Sequence, residues 1–561
     1  MKALLIYLFV FIGIHLHSQY ALDIHTIKYE YYLTVKMDAP NSLLWFYTSK
    51  DSVLIDNKTL VYKSSPLKEY SAFFVILNPE GQVQWHNEIY TKDTLKGSAL
   101  LAYMDISDFN DGYYVSFFYY GNDLWCNDQV LFQDETAGKY IALLRLSKSG
   151  EVISCWRYPV SKNLLEVWVR PFDDGKLVLG GTASWDPVQL GAFYLPCTGC
   201  HVHDSDVFVA IIDSTGTVLN AKRFGSDVWD YGRAIATTQG GNIYMAGSYY
   251  GSPFRADSFT LTNHGFTQLT CDAFLMKLNE NLEIQWLQRA WGTGLETSQG
   301  LEQDPSGNLY WALNCSSPQV NIGDTTFAGN KVTGLLAKIS PDGELRWIQH
   351  VACDKALNIR NISADADGNI WANVNFNGNL LTPYQTIEGL GGNDNLLVQF
   401  GADGQPYRQL ILAGPENESV YEIQALPGQQ LLLRGGFSND TLSFLNLRIP
   451  RNEQGDTYTN FFATVQFPAV GTTEPAAPAA TIRVWPNPAL SGRPVQVAVD
   501  KFPGKGRIAL FDCFGRLAGQ FETDPVSGIA TIPGNYLRRG VYFLRYQSEE
   551  TNLSKVLVVT Q

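Results

Sequence analysis

A hairpin pattern repeated along most of the chain is the feature that most constrains the fold. One unit is an apolar strand, a tight turn and a second strand that often carries tryptophan, as in Ala72-Phe-Phe-Val-Ile-Leu-Asn-Pro-Glu-Gly-Gln-Val-Gln-Trp85. Further first strands begin at Ile141, Val207, Ala273, Leu335, Leu396 and Phe461. Because successive copies lie roughly 60 to 70 residues apart, the chain is built from one recurring supersecondary unit.

A second hairpin alternates with the first and carries the clearest turn signals. Asp111-Gly112, Asp174-Gly175 and Gly241-Asn242 each lie between alternating apolar residues. Glycine and asparagine accept the positive φ that such turns need, so these dipeptides indicate tight β-hairpins. Two hairpins per period make a four-stranded antiparallel unit.

Seven such units in a row predict an all-β fold, a seven-bladed β-propeller over residues 19–468, with six or eight blades as alternatives. The seventh unit lacks a last strand after Phe467, and the stretch from Asp23 to Tyr29 could supply it. Such a closure would remove an exposed sheet edge. The repeats also resemble the SBBP-type β-propeller repeats of secreted bacterial proteins, which supports the fold and says little about activity.

The amino terminus has the pattern of a signal peptide. Met1-Lys2 is followed by a short apolar run, and a small residue, Ser18, precedes Gln19. The apolar run is too short for a membrane span, so we expect residues 1–18 to be removed between Ser18 and Gln19. An uncleaved amino-terminal anchor is the alternative. No later segment is apolar enough to span a membrane, so we expect no transmembrane segment in the mature chain.

The last eighty or so residues form a second module behind a linker rich in proline, alanine and threonine at 469–481. Short strand-like runs bounded by proline and glycine predict a small β-sandwich at 482–561. Ordered motifs in this tail resemble the type A C-terminal sorting domain of the type IX secretion system of Bacteroidetes-type bacteria. The matching residues are Pro486, Asn487, Pro488, Asp512, Gly515, Arg516, Gly540, Tyr542 and Lys555.

That resemblance implies that the tail is a targeting signal and says nothing about the activity of the protein. It implies recognition by the type IX secretion machinery, sortase-like removal of the tail, and a body that is secreted or attached to the cell surface. Turn and strand chemistry alone is the alternative explanation of these motif residues.

The net charge is -14, from 41 Lys plus Arg against 55 Asp plus Glu. Because nucleic acids and anionic membranes require a basic face, neither is expected as a partner.

The eight cysteines favour one face of the propeller. Cys126, Cys197, Cys200 and Cys271 fall between the second and third strands of a unit, and Cys315 and Cys353 lie near the same ends of other strands. Export makes disulfides plausible, and Cys271 with Cys315 is the candidate pair. Cys315 with Cys353 is the competing pair, because connectivity is not fixed by sequence.

The segment Cys197-Thr-Gly-Cys200-His201 matches the Cys-x-x-Cys-His pattern of covalent haem attachment. A zinc site that includes His203 and a local or cross-loop disulfide are the other readings, and the disulfide is favoured because nothing nearby resembles a cytochrome helix. We therefore expect no cofactor and no metal. Asp204, Asp206, Asp227 and Asp230 are expected to be solvated at surface turns or to cap backbone amides.

Three connections between second and third strands are about twenty residues long, which is unusual in a compact domain. They span residues 120–139, 184–206 and 249–272 and carry the candidate binding residues Trp125, Trp185, Tyr194 and Phe254. The sequence therefore predicts a binding module whose ligand is a polysaccharide or an envelope protein. A propeller-fold hydrolase or lyase and a haem-bearing redox protein are the alternatives. The recurrent Trp85, Trp156, Trp286 and Trp347 are expected to pack between blades.

Overall fold

The computed structural model describes residues 21–560 except for 29–30, 39–40, 49–51, 56–57, 63–70, 78–82, 93–101, 110–111, 161–163, 185, 198–203, 239, 266–268, 329–331, 383–384, 439–440, 445–446, 451–458, 468–480, 486–488, 501–505, 513–516, 525–528 and 548–551. The side chains before Ala72 also lie outside the description, and so does the expected cleavage site at Ser18 and Gln19. The chain divides into two compact parts. We call residues 19–468 the body and residues 469–561 the tail.

The fold is all-β, with two short 3₁₀ helices, Asp173–Gly175 and Gly534–Tyr536, among the described residues. No described helix has the length and apolar character needed to cross a membrane. The first half of the body contains β1 Ala21–Lys28, β2 Tyr31–Asp38, β3 Asn41–Thr48, β4 Ser52–Ile55, β5 Lys58–Tyr62, β6 Ser71–Leu77, β7 Val83–Tyr90, β8 Ala102–Phe109, β9 Gly112–Cys126, β10 Gln129–Ser147, β11 Val152–Pro159, β12 Leu164–Pro171, β13 Leu177–Ser184, β14 Val188–Leu190, β15 Phe193–Leu195, β16 Ser205–Ile212, β17 Val218–Phe224, β18 Asp230–Thr237, β19 Ile243–Tyr249, β20 Phe254–Ala256 and β21 Phe259–Leu261.

The second half of the body continues the same pattern of short strands. It contains β22 Asp272–Leu278, β23 Ile284–Trp291, β24 Glu296–Gln303, β25 Leu309–Cys315, β26 Gln319–Ile322, β27 Thr325–Ala328, β28 Val332–Ile339, β29 Leu345–Cys353, β30 Ala356–Ala364, β31 Ile370–Asn377, β32 Leu380–Leu381, β33 Thr386–Ile387, β34 Asp394–Phe400, β35 Pro406–Leu412, β36 Glu418–Leu426, β37 Gln430–Phe437, β38 Thr441–Phe444, β39 Leu447–Pro450 and β40 Thr459–Gln466.

The described strand pairings group most of these strands into seven antiparallel sheets of four, which we call blades. Their orders are β2-β3-β6-β7, β8-β9-β10-β11, β12-β13-β16-β17, β18-β19-β22-β23, β24-β25-β28-β29, β30-β31-β34-β35 and β36-β37-β40-β1, for blades 1 to 7. Within each blade we call the four strands A to D in that order. In blade 7 the D strand is β1, which pairs with β40 from Ala21 opposite Gln466 to Ile27 opposite Asn460.

The A strands contact one another in cyclic order, from blade 1 through blade 7 and back to blade 1. Such contacts are consistent with propeller-like blades around a central axis. Large buried clusters lie between neighbouring sheets, as where Phe208 of blade 3 and Leu143 of blade 2 share one core. The apolar faces of single blades are therefore covered by their neighbours.

Tryptophan residues on D strands join consecutive blades. The indole Nε1 of Trp85 donates to the carbonyl oxygen of Lys148 at 2.9 Å, and Trp286 and Trp347 donate to Pro341 and Ala402 at 3.0 and 3.1 Å. Each acceptor lies in the C–D turn of the next blade. These contacts hold the indoles between blades, where they pack rather than face solvent.

The tail has two sheets that share one apolar core. Its strands are β41 Thr481–Trp485, β42 Ala489–Leu490, β43 Val495–Asp500, β44 Arg507–Asp512, β45 Leu517–Glu522, β46 Ile529–Ile532, β47 Gly540–Gln547 and β48 Asn552–Thr560. The sheet orders are β41-β43-β46 and β42-β48-β47-β44-β45. Val497 of the first sheet and Leu544 of the second belong to the same buried cluster, which is the arrangement of a small β-sandwich.

Candidate functional site

One end of the body brings together the features from which a function can be argued. Connections from B to C strands and from D to A strands leave the blades at the same end, because strands alternate in direction within each sheet. We call this end the B–C face. It includes the three long connections singled out from the sequence, and the structure changes the interpretation of each.

None of these connections is a simple loop. Residues 120–139 are largely a continuation of β9 and β10, whose paired register extends to Cys126 opposite Gln129. The other two contain small hairpins, β14–β15 and β20–β21. Similar hairpins, β4–β5, β26–β27, β32–β33 and β38–β39, occupy the same position in other blades.

Most of these B–C hairpins attach to the preceding blade. Ile322 of β26 pairs with Ala290 on the D strand of blade 4, and Leu380 of β32 pairs with Cys353 on the D strand of blade 5. Equivalent pairings join β4 to β1, β9 to β7, Val188 to Val160 and Arg255 to Gly225. The long connections therefore fasten neighbouring blades together, a role that the sequence interpretation missed.

The candidate binding residues separate into different classes. Tyr194 is the middle residue of β15, opposite Gln189 of β14, and is 63% exposed, as expected for a contact residue. Phe254 is fully buried and stacks on Phe274 with 5.0 Å between ring centroids, so the expectation that it is exposed is wrong. Its strand, β20, turns the ring into the blade 4 core. Trp185 lies outside the described residues.

Trp125 is half-buried near the end of β9 and already has partners. Its indole stacks on Tyr90 at 6.1 Å between centroids, and Nζ of Lys92 lies 3.2 Å from the centroid of its ring. The indole Nε1 donates to Oδ2 of Asp123 at 2.8 Å. Trp125 therefore secures the β9–β10 extension, and a ligand would have to displace Lys92 to reach that side of the ring.

Exposed apolar side chains concentrate on the B–C face. Eight large apolar side chains in the described body are exposed, and six of them belong to B–C or D–A connections. The six are Val130, Tyr194, Leu269, Leu295, Leu381 and Leu390. The other two, Ile153 and Leu219, begin D strands after C–D turns, at the opposite end. Concentrated apolar exposure on one surface is typical of interaction sites.

Beneath this face lie pairs of fully buried carboxyl groups. The C strand of one blade and the A strand of the next each contribute one acid at three blade junctions. The pairs are Asp206 with Asp230, Asp272 with Glu296, and Asp394 with Glu418. Asp206 and Asp230 are not solvated, because the blade junction covers them, and Asp204 is buried as well. Asp230 instead accepts the backbone N–H of Ser226, which is the capping role that the sequence left open, and Asp227 is exposed.

Sequence reasoning missed these pairs, although a signal was present. A glycine after each D strand precedes the A-strand acid, in Gly225-Ser-Asp-Val-Trp-Asp230, Gly292-Thr-Gly-Leu-Glu296 and Gly414-Pro-Glu-Asn-Glu418. The backbone N–H groups of Gly292 and Gly414 donate to the C-strand acids Asp272 and Asp394, at 3.2 and 3.1 Å. The acids thus tie each D–A connection to the sheet that precedes it.

Burial and mutual repulsion shift these carboxyl groups towards their neutral forms. Burial, followed by the nearby Asp394 and Glu416, raises the pKa of Glu418 to about 8. Burial raises the pKa of Glu296 to about 7 and that of Asp394 to about 6, and it raises the pKa of Asp230 and Asp272 as well. At the first junction Arg223 supplies a positive charge, since its Nε lies 2.8 Å from Oδ2 of Asp206.

The buried cysteines do not form the disulfide that was expected on this face. Cys271 and Cys315 are both free thiols in the structure, so it does not show the expected bridge between them, and Cys126, Cys155 and Cys353 are free as well. Burial raises the pKa of the Cys271 thiol to about 12, which keeps it unreactive as a nucleophile. Both thiols adjoin the same residue, because Glu296 pairs with Cys315 and its N–H donates to the carbonyl of Cys271.

Cys197 is disulfide-bonded, and Cys200 and His201 lie outside the described residues. A sulfur in a disulfide is not available for a thioether bond to haem. No group of three His, Cys, Asp or Glu side chains in the described part of the chain is arranged to hold a metal ion.

In the tail, the sorting-motif residues that the structure describes lie on adjacent strands. Asp512 on β44 is opposite Tyr542 on β47, and Lys555 on β48 is opposite Leu544. Tyr542 is buried, and its hydroxyl accepts the N–H of Arg538 at 3.0 Å, whereas Lys555 is exposed. Gly540 begins β47; Pro486, Asn487, Pro488, Gly515 and Arg516 lie outside the described residues.

No protein-family model and no curated protein matches this chain. Among solved structures, PorZ, a surface component of the type IX secretion system of Porphyromonas gingivalis, aligns with a TM-score of 0.28 and 9% identity over 94% of this chain and 75% of that one. A fungal alcohol oxidase of the AA5 family, in complex with copper, gives 0.34 and 12% over 94% and 96%. A DUF4221 family member from Bacteroides vulgatus gives 0.30 and 10% over 68% and 98%. Similarity at this level assigns neither a family nor an activity, so the repeat and sorting-domain resemblances stay predictions.

Proposed function

We propose that this chain is an exported β-propeller that binds a protein of the cell envelope through its B–C face, with the tail serving as a type IX sorting domain. The observation that carries the binding proposal is the concentration of exposed apolar side chains on that face. Exposed apolar side chains that share one surface are a feature of protein interaction sites.

A protein partner is favoured over the polysaccharide because of the kind of side chain that is exposed. Five of the six exposed residues on the face are aliphatic, and Tyr194 is the one aromatic. Sugars are usually held by aromatic stacking, whereas aliphatic and aromatic contacts together are typical of the core of a protein interface. Trp125, which would have been the best sugar platform, is engaged by Tyr90 and Lys92.

The hydrolase or lyase alternative requires carboxyl groups that a substrate can reach. The six carboxyl groups at the blade junctions are at most 1% exposed. The neighbouring blades cover these groups, so a substrate does not reach them. This burial favours the binding function over hydrolysis at these residues.

Site-specific photo-crosslinking tests the binding proposal directly. A photoreactive phenylalanine analogue is placed at Leu381 or Tyr194 on the face, and at Leu219 as the matched exposed control. In native cells, irradiation is expected to yield one discrete protein adduct from the two face positions and none from Leu219. Equal adducts at all three positions, or none at the face, would contradict the proposal.

The sorting role has its own test. Residues 469–561 are fused to a periplasmic reporter in a bacterium with an active type IX system, and reporter and tail are followed at the cell surface. Export with loss of the tail is expected, and Gly540→Val or removal of residues 552–561 should block it. Export that does not depend on the tail would contradict the sorting role.

A further inference from the structure

The third blade junction contains a carboxyl group that the protein alone does not satisfy. Glu418 opens the A strand of blade 7 and is 1% exposed. Neither of its carboxyl oxygens has a hydrogen-bond partner within the part of the chain that the structure describes. A buried carboxylate without a partner is strongly unfavourable, so a ligand or a proton must compensate for it.

The other two junctions show how the same position is normally satisfied. Asp230 accepts bonds from the N–H and hydroxyl of Ser226, at 2.5 and 3.0 Å. Glu296 accepts the N–H of Ser317 at 3.2 Å through Oε1, while its Oε2 has no hydrogen-bond partner among the described residues. Both oxygens of Glu418 lack such a partner, so this junction leaves its A-strand acid less satisfied than the other two junctions do.

The surroundings of Glu418 are rich in oxygen and negative charge. The charged groups that act on its carboxyl are Asp394 and Glu416, both acids. Asp394 is fully buried and accepts the N–H groups of Leu390 and Gly414, at 2.9 and 3.1 Å, and each of its oxygens has further acceptor capacity. The backbone N–H of Glu418 donates to the carbonyl oxygen of Asn393 at 2.9 Å, which holds the start of β36 against the start of β34, where Asp394 lies. Two buried carboxyl groups at one junction supply part of a ligand set for a hard cation.

Main-chain oxygens of the segment 414–417 lie close to the loop 389–393. The loop 389–393 passes so near to the segment 414–417 that only glycine fits at two of its positions. A Cβ at Gly391 would lie 2.2 Å from the carbonyl oxygen of Pro415, and one at Gly392 would lie 2.3 Å from that of Glu416. Calcium accepts a mixture of carboxylate, carbonyl and water oxygens in a flexible coordination sphere.

We propose that Glu418 and Asp394 bind a divalent cation, best matched by Ca²⁺, at the junction of blades 6 and 7. The two carboxylates are the protein's charged ligands, and main-chain oxygens of the adjoining loops and water complete the coordination. The cation joins the A strand of blade 7 to the C strand of blade 6. It therefore stabilises the blade that the amino-terminal strand β1 completes.

Calcium titration of the EGTA-treated protein tests this inference. In isothermal titration calorimetry the wild-type chain is expected to bind one Ca²⁺, and Ca²⁺ is expected to raise the midpoint of thermal unfolding by several degrees. Glu418→Gln should abolish both effects. Glu296→Gln, which changes the matching buried acid at another junction, should leave both unchanged.

Two results would overturn the proposal. One is a wild-type chain that neither binds Ca²⁺ nor gains thermal stability from it, which would mean that a proton alone neutralises Glu418. The other is a Glu418→Gln chain that binds Ca²⁺ as tightly as the wild type, which would place the cation elsewhere. If Glu418→Gln does not fold, Asp394→Asn is used in its place and carries the same expectations.

Discussion

Arg223 and Asp206 form an ion pair inside the body, with Nε of Arg223 2.8 Å from Oδ2 of Asp206 and side chains that are 2% and 0% exposed. The same guanidinium donates to the carbonyl oxygens of Asp186 and Ser184. Arg223 is on the D strand of blade 3, and its partner is the C-strand acid at the junction with blade 4. One cation thus neutralises a buried acidic junction and holds the start of a B–C connection.

Replacing Arg223 should be far more damaging than replacing its neighbour. Arg223→Met leaves Asp206 buried without its cation, which should cost about 3–5 kcal/mol in the free energy of unfolding. Lys222→Met removes a partly exposed pair with Asp257, which should cost about 0–1 kcal/mol. Urea unfolding of both variants measures the difference. Equal losses would mean that the buried pair contributes no more than a surface pair.

The packing of tryptophan between blades can be isolated with two glycines. Gly216 has φ of +85° and a Cβ there would lie 1.9 Å from the Trp156 ring, whereas Gly428 has φ of +75° and open space. Gly428→Ala should lower the free energy of unfolding by roughly 1–2 kcal/mol, because only the left-handed backbone conformation is strained. Gly216→Ala should lower it by roughly 1–3 kcal/mol more, because the indole of Trp156 must also move. Matching losses by chemical denaturation would contradict this packing.

Phe254 and Tyr194 should respond in opposite ways in stability and binding. Phe254→Ala empties a fully buried site and should cost about 3–5 kcal/mol in unfolding free energy. Tyr194→Ala shortens an exposed side chain of β15 and should change the free energy of unfolding by less than about 0.5 kcal/mol. Tyr194→Ala should nevertheless reduce the crosslinked adduct formed from Leu381. Normal adduct formation by a stable Tyr194→Ala chain would remove Tyr194 from the binding surface.

Acidification should stabilise the metal-free body through Glu418. Its pKa is 4.5 in the unfolded chain and about 8 in the folded one, so the folded state holds the proton more tightly in that interval. The free energy of unfolding should therefore fall as pH rises towards 8, by up to about 1.4 kcal/mol per pH unit for this group.

Unfolding in urea with EGTA at about pH 6 and about pH 8 checks this dependence. Glu418→Gln, which has no proton to lose, should show a smaller decrease than the wild type. Glu344→Gln changes an exposed acid and should keep the wild-type dependence. A Glu418→Gln chain with an undiminished decrease would assign the pH dependence to other groups.

The sequence predicts the all-β fold well because its signals are local. Asp-Gly and Gly-Asn turns specify hairpins directly, and strands such as Arg507–Asp512 and Ile529–Ile532 appear where their patterns predict them. The small hairpins β26–β27 and β32–β33 could not be found in this way. Their strands have two to four residues, too few to show alternation, and they pair with a strand of the preceding blade.

The site was harder to predict because burial is a tertiary property. Phe254 sits in a long polar connection, and only the packing of β20 on Phe274 shows that its ring is internal. Asp206 and Asp230 look like turn residues in sequence, yet the next blade covers them. Tyr194 is exposed as predicted, and it lies opposite Gln189 on the three-residue strand β15 of a B–C hairpin.

The measurement that tests the account most directly is the intact mass of the protein collected from the surface and medium of its native bacterium, with and without reduction. We expect a chain that begins at Gln19, ends between residues 469 and 481, and carries no porphyrin. Reduction should add the mass of the hydrogens that open the Cys197 disulfide. A chain that retains residues 482–561 or carries haem would contradict the proposal of an exported binding propeller with a removable sorting tail.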